Sequence, residues 1–270
     1  MGRIAVALSV CRNDTVEYLQ QSIDSILNQT YNNFDLYIKV DGVVSSDIYG
    51  LLDKYKSNDN VFIDAHSANK GLAYRLNQII DLVLISGKYK YLARMDADDI
   101  SDVNRFDEQV CFLSNNKVDV VGSDVVEIDS CGREIFYKHM DSDFFVIKKK
   151  IIKKCPFNHP SVMFKMDVFN DGYRYNSNLM NTQDYYLWVD LIAGGKIFSN
   201  INKPLLKFRV DDKFHSRRGF NKAVNDIKAR IYALNKLNAF SFVNIFYIVG
   251  ILFLRLSPKI IKKLSYKYLR

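Results

Sequence analysis

Little in this sequence calls for disulfide or metal–thiolate chemistry. Its 270 residues include four cysteines, Cys11, Cys111, Cys131 and Cys155, and no two of them form a CxxC pair. That spacing argues against a zinc site and implies no disulfide framework, so a reducing, cytoplasmic compartment is the default expectation. Proline (4) and glycine (12) are sparse, which leaves no linker or low-complexity stretch, and there is no internal repeat. The first apolar run, "IAVALSVC", follows one basic residue and lacks a small-residue cleavage site, so it reads as a buried strand and not as a signal peptide. Acid is missing from the end of the chain. Arg255, Lys259, Lys262, Lys263, Lys267 and Arg270 are unopposed, and Ala239–Leu254 carries no charge at all. The net charge of +8 therefore lies mostly in the tail, with about +2 left for residues 1–238. Basicity placed in this way argues against a whole-surface nucleic-acid binder and for a local anionic partner.

What is present is an alternation of periods. Strand patterns at Ile4–Val10, Phe34–Val40, Val61–Ala65 and Tyr89–Met95 alternate with helical patterns at Tyr18–Leu27, Asp47–Tyr55 and Leu72–Leu84. This predicts an α/β fold with a mostly parallel central sheet flanked by helices. Such sheets bind ligands beyond the carboxyl ends of their strands. The four strand ends carry "CRND", "DG", "SANKG" and "DADD", polar or acidic on one rim. Downstream, strands are expected at "VDVVGSDVVEI", "HPSVMF" and "PLLKFRV". A basic amphipathic helix is expected over Asp143–Lys154, with further helices at "TQDYYLWVDLI" and Asn221–Leu237.

The densest chemistry is "RMDADDISDVNRFDEQ", residues 94–109, with six acids in sixteen residues. Adjacent carboxylates repel unless a divalent cation lies between them, and Mg²⁺ or Mn²⁺ takes such hard oxygen ligands together with substrate phosphates. The alternation in Asp96-Ala97-Asp98 puts two carboxylates on one side of an extended chain. The same residues also read as a solvated loop with an Asp N-cap for a helix starting near Val103. In the remainder, Asp99 and Asp102 shape and cap the turn, and Asp107 and Glu108 lie on a solvated helix face.

Several segments, taken in order, resemble the family-2 inverting glycosyltransferases of the GT-A fold. They are "ALSVCRND", "QQSIDSILNQTYNNFDLYIKVDG", "ANKGLAYRLNQII", "ARMDADDISDVNRFDEQV" and "TQDYYLWVDL". "NHPSVMF" and "QDYYLW" bring the bacterial exopolysaccharide and O-antigen enzymes nearest. The resemblance spans about residues 4–210 and implies a nucleotide-diphospho-sugar transferase fold. It implies that Val10 and Arg12 border the nucleotide, that Asp41 accepts from the uracil or ribose, and that Asn69, Lys70 and Gly71 line the nucleotide at a helix start. Asp96 would bind ribose or metal, and Asp98 the Mn²⁺ or Mg²⁺ bridging the two phosphates. His159 would touch acceptor or diphosphate. Asp184 would be the general base, although the family's usual acid pair stands here as Gln183-Asp184. A third metal ligand from "FRVDDKFHSRRG" would be His215 or Asp211, with Arg217 and Arg218 as diphosphate partners. Structural readings compete at each position: a turn Asp at Asp41, a helix cap at Asn69–Gly71, and a helix-entry carboxylate at Asp184.

"AFSFVNIFYIVGILFL" is sixteen uncharged residues, short of the roughly twenty needed to span a bilayer. Basic residues at near-helical intervals follow it, the pattern of a segment lying in an anionic membrane interface. The expectation is a catalytic domain over residues 1–238 and a helical, membrane-associating tail over 239–270. The enzyme would be peripheral on the cytoplasmic face of the inner membrane. It would transfer a hexose from UDP-glucose or UDP-galactose to a lipid-linked saccharide, with no nucleic-acid partner. Two other readings stand beside it. A nucleotidyltransferase would need a Gly-rich, basic loop after the first strand, and "SVCRNDTVEY" lacks one. A non-catalytic membrane scaffold with a vestigial fold would have no use for Asp96, Asp98 and Asp184.

Overall fold

The computed structural model describes residues 2–179, 181–210 and 220–256. The first hundred residues fold as the alternation predicts. Strands β1 (Ile4–Cys11), β2 (Phe34–Asp41), β3 (Val61–His66) and β4 (Tyr91–Met95) alternate with helices α1 (Val16–Leu27), α2 (Ser46–Tyr55) and α3 (Leu72–Ser86). The second half adds β5 (Ile100–Ser101), α4 (Arg105–Asn115), β6 (Val120–Ile128), β7 (Glu134–Lys138) and α5 (Phe144–Lys150). It continues with β8 (Met163–Lys165), α6 (Asp167–Asn170), α7 (Gln183–Ala193), β9 (Phe198–Arg209), α8 (Phe220–Lys236) and α9 (Phe242–Leu256).

Among the described residues one sheet runs β3-β2-β1-β4-β8-β6-β9-β5, with β7 added to β6. The β1–β4 strands are parallel neighbours, whereas β8 enters antiparallel between β4 and β6. Cys11 pairs with Asp41 and Asp41 with His66, so three strands end level on one rim. The sheet is covered on both faces. Ile23, Ile26, Leu51, Phe106 and Leu113 pack with one face, and Leu76, Ile80, Phe164, Trp188 and Ile192 with the other. This two-sided burial explains why β1 reads as a nearly continuous apolar run.

Several boundaries differ from the sequence reading: the basic helix expected over Asp143–Lys154 ends at Lys150, and the strand expected at "PLLKFRV" already begins at Phe198. The fourth strand starts at Tyr91 instead of Tyr89, because Lys90 and Tyr91 first bond to the Arg3 carbonyl. The helix expected near Val103 starts at Arg105, after Asn104, which makes no side-chain cap bond. Asp102 serves the turn instead, accepting from the Asn104 amide at 2.9 Å. "HPSVMF" is only partly extended: His159–Ser161 forms one 3₁₀ turn, and the strand follows at Met163.

Candidate active site

The acids of residues 96–99 lie just past β4, and buried arginines explain how they tolerate one another. Arg94 is 1% exposed and its guanidinium donates to Asp96. Arg105, fully buried, donates to the Arg94 carbonyl at 2.8 Å. Burial pushes its pKa down to about 9, with Asp99 acting in the opposite sense, and it stays charged at neutral pH. From β9, Arg209 donates to the Asp98 carbonyl at 2.9 Å, and its backbone amide donates to Asp99 Oδ1 at 2.8 Å. Three cations thus hold the loop from beneath and beside, none of them foreseen from the sequence. The flanking Arg94 and Arg105 were the visible signal, since buried charge needs a partner.

Asp99 belongs to this cluster and does more than shape the turn. Ligand oxygens of Asp96, Asp98 and Asp99 lie within 4.8 Å of one another. Asp99 is 1% exposed and its Oδ2 has no hydrogen-bond partner. Burial first, then the charges of Asp98 and Asp96, raise its pKa well above the ordinary carboxylate range. An orphaned buried oxygen beside two more carboxylates is a donor set that fits a hard divalent cation.

Asp41, at the end of β2, is 3% exposed. Its carboxylate accepts from the Lys70 amide (2.8 Å), the Gly71 amide (2.8 Å) and Arg75 Nε (2.7 Å). Gly71 at φ 89 and Gly42 at φ 88 let the two loops close on one another, and the Asn69 side chain donates to the Asp41 carbonyl. The Lys70 and Gly71 amides just ahead of α3 are thus engaged by Asp41. A carboxylate offers about four acceptor directions, and three are taken. Lys70 is exposed, with its ammonium 4.6 Å from the Tyr74 ring centre. Val10 is fully buried in the core, so only its backbone can meet a ligand, while Arg12 just beyond is exposed.

His159 is brought to the same rim because the Arg94 amide bonds the Val162 carbonyl at 2.9 Å, which seats β8 against β4. Burial, reinforced by Arg94, lowers its pKa well below that of an ordinary imidazole, so it is neutral at pH 7. Its Nε2 lies 2.9 Å from the Tyr175 hydroxyl. Tyr175 was missed in the sequence and connects the site. Its backbone N–H and C=O are both clasped by the Asn77 side chain of α3, at 3.0 and 2.8 Å. Burial raises its pKa, and the through-space charges of Asp184 and Asp96 both act on it, as does Arg94 in the opposite direction. Tyr175 therefore stands within electrostatic reach of the acidic cluster and of Asp184.

Asp184 lies in the first turn of α7, partly exposed. Trp188, four residues on and so on the same helix face, is fully buried. Its indole ring meets Phe157 at 5.0 Å, Phe164 at 5.6 Å, Phe198 at 6.0 Å and His159 at 6.0 Å between ring centres. The aromatic nest fixes how α7 presents Asp184. The preceding Thr182 adopts φ 64, left-handed for a β-branched residue, a strain of about 1–3 kcal/mol that such sites hold in place. His215, Asp211, Arg217 and Arg218 lie outside the described residues.

Comparison with known proteins follows the same lines. The sequence profile of Glycosyl transferase family 2 matches residues 7–172. The O-antigen biosynthesis glycosyltransferase WbnJ of Escherichia coli is 32% identical over 216 residues, 79% of this chain and 82% of that protein. The Escherichia coli UDP-Gal:alpha-D-GlcNAc-diphosphoundecaprenol beta-1,3-galactosyltransferase is 28% identical over 270 residues, 98% and 95% of the two chains. In three dimensions, the Pyrobaculum calidifontis mannosyltransferase PcManGT, solved with GDP-Man and Mn²⁺, superposes with a TM-score of 0.59 at 13% identity. That superposition covers 98% of this chain and 83% of the other. The fold is of the GT-A type, with a mostly parallel, curled sheet between helices.

Proposed function

The chain belongs to glycosyl transferase family 2, and from that membership we propose that it is an inverting, metal-dependent hexosyltransferase. It moves glucose or galactose from a UDP-sugar to a saccharide carried on a polyprenyl diphosphate, in the assembly of O-antigen, capsule or exopolysaccharide. The observation that carries this reading is the cluster of Asp96, Asp98 and Asp99 carboxylates, with Tyr175 within electrostatic reach of both Asp96 and Asp184. The names of the relatives support the pathway and the acceptor class.

Asp184 takes the proton of the acceptor hydroxyl. The oxygen so activated bonds to the anomeric carbon from the face opposite the diphosphate. The bond from that carbon to the diphosphate oxygen breaks, and its electron pair leaves with UDP. One carboxylate suffices for this single displacement, whereas glycosidases need two. Asp96 and Asp98, with Asp99 beside them, would hold Mn²⁺ or Mg²⁺. A cation held there would supply charge stabilisation for the departing diphosphate. Asp41 organises the loop that covers the nucleotide and keeps one acceptor direction for it. Asn69, Lys70 and Arg12 border the nucleotide through their side chains, and neutral His159 orients the Tyr175 hydroxyl towards the reacting groups.

Residues 1–238 form the catalytic domain, and residues 239–270 hold the enzyme on the cytoplasmic face of the inner membrane. No helix among the described residues is long and apolar enough to cross a membrane, in keeping with a peripheral attachment. The test is release of UDP from UDP-glucose and UDP-galactose, with and without Mn²⁺, in the presence of a synthetic diphosphate-lipid saccharide. Transfer that needs the metal and falls away in Asp98→Ala supports the reading. Full transfer by Asp98→Ala, or in the presence of chelator, overturns it.

A further inference from the structure

The basic helix singled out in the sequence, α5, has no task in the transfer reaction. It is a short helix, Phe144–Lys150, whose N-cap Asp143 accepts from the Val146 amide at 2.9 Å. Its inner side is anchored by Ile147, which with Ile151 and Ile152 enters the core beneath Trp188. Its outer side is unusual for a solvated helix. Phe145 is 77% exposed, and Lys148 and Lys149, three and four residues on, share its face. Lys150 and Lys154 are paired with Asp141, so within this segment the unopposed charge is concentrated beside Phe145.

Helix α9 reaches the turn that follows α5 and packs on the same core. The Tyr247 hydroxyl donates to the Lys153 carbonyl at 2.9 Å, and Ile248 enters the same core as Ile147 and Ile151. The opposite face of α9 shows Phe242 (94% exposed), Phe246 (79%) and Val249 in one row, spaced at i, i+4 and i+7. The two helices thus pack on one core, α9 bonds the turn that follows α5, and each carries exposed aromatic side chains, with lysines on the first. The six basic residues from Arg255 onward continue the second in sequence. An aromatic wedge ringed by unpaired lysines is complementary to an anionic bilayer, where rings enter the interface and ammonium groups stay with the headgroups.

We propose that α5 is a second membrane-contacting element. Phe145 inserts into the interface of an anionic bilayer while Lys148 and Lys149 bind headgroup phosphates, beside and together with α9. The inference rests on the membrane attachment of residues 239–270 proposed above, and its test separates the two. The full chain is sedimented with vesicles of phosphatidylglycerol and phosphatidylcholine, and with vesicles of phosphatidylcholine alone. A lysine near an anionic surface is worth about a fivefold in partition, so Lys148→Ala with Lys149→Ala should weaken binding about twenty-five-fold. Phe242→Asp with Phe246→Asp should weaken it as well. In Phe145→Trp the added indole should shift its emission to the blue only with the anionic vesicles. Wild-type binding that the double lysine variant leaves unchanged overturns the role of α5 and leaves the tail reading standing. Absence of wild-type binding overturns both. A dimer in light scattering without vesicle binding assigns the face to a second copy of the chain and refutes the proposal.

Discussion

Replacing Asp41 with asparagine tests whether this residue organises the nucleotide loop or only touches the nucleotide. Its carboxylate is 3% exposed and holds two backbone amides and the guanidinium of Arg75, itself 2% exposed. Asparagine keeps one acceptor oxygen and turns an NH₂ group towards what was an N–H donor. It also leaves the Arg75 charge buried without its counter-ion. Breaking a buried pair by removing one partner costs about 3–5 kcal/mol. Domain stabilities of about 5–15 kcal/mol make that a large fraction. Urea unfolding should therefore show a midpoint shift of this size at unchanged slope, besides weaker UDP binding. Adding Arg75→Met to Asp41→Asn should recover part of the loss, because the orphaned charge goes with it. A variant within about 0.5 kcal/mol of the wild type, ordinary for a surface change, would show that the Asp41–Arg75 pair is not what holds the loop.

Further outcomes follow from the second half of the site. Trp188→Ala should lose about 3–5 kcal/mol in urea melts, as a fully buried aromatic does. Trp188→Phe should lose far less, since the indole N–H has no partner to forfeit. His159 has its pKa lowered by burial, so the unfolded chain binds the extra proton first. Its contribution to stability is complete above the unfolded value of about 6.5 and is lost as pH falls towards the folded value. His159→Gln should remove that part of the pH slope between pH 7.5 and 5.5.

Much of this was legible because the first half of the chain obeys local rules. The continuous apolar run of β1, the helical period of Leu72–Leu84 and the polar ends at Asp41 and Asp96 each follow from burial and periodicity. What stayed hidden depends on partners distant in sequence. Asp41 reads as a turn residue until Arg75 closes on it from the second turn of α3. Tyr175 carries no motif, and only the Asn77 clasp brings it to His159. Asp99 could not be told from Asp102 in "DADDISD", because what separates them is burial under Arg209, which is 110 residues away. Of the tail, the helical part fits the expectation as far as Leu256, and its exposed aromatic row is the feature that sequence alone left undecided.

The central claim is that Asp184 deprotonates the acceptor while the carboxylates of residues 96–99 attend to the donor. Asp184→Asn addresses it most directly, with UDP binding by calorimetry and single-turnover transfer to a diphosphate-lipid saccharide measured on one preparation. Removal of a general base costs about 10²–10⁴ in rate, so transfer should fall by that factor while UDP affinity is unchanged. Transfer at the wild-type rate would contradict the account.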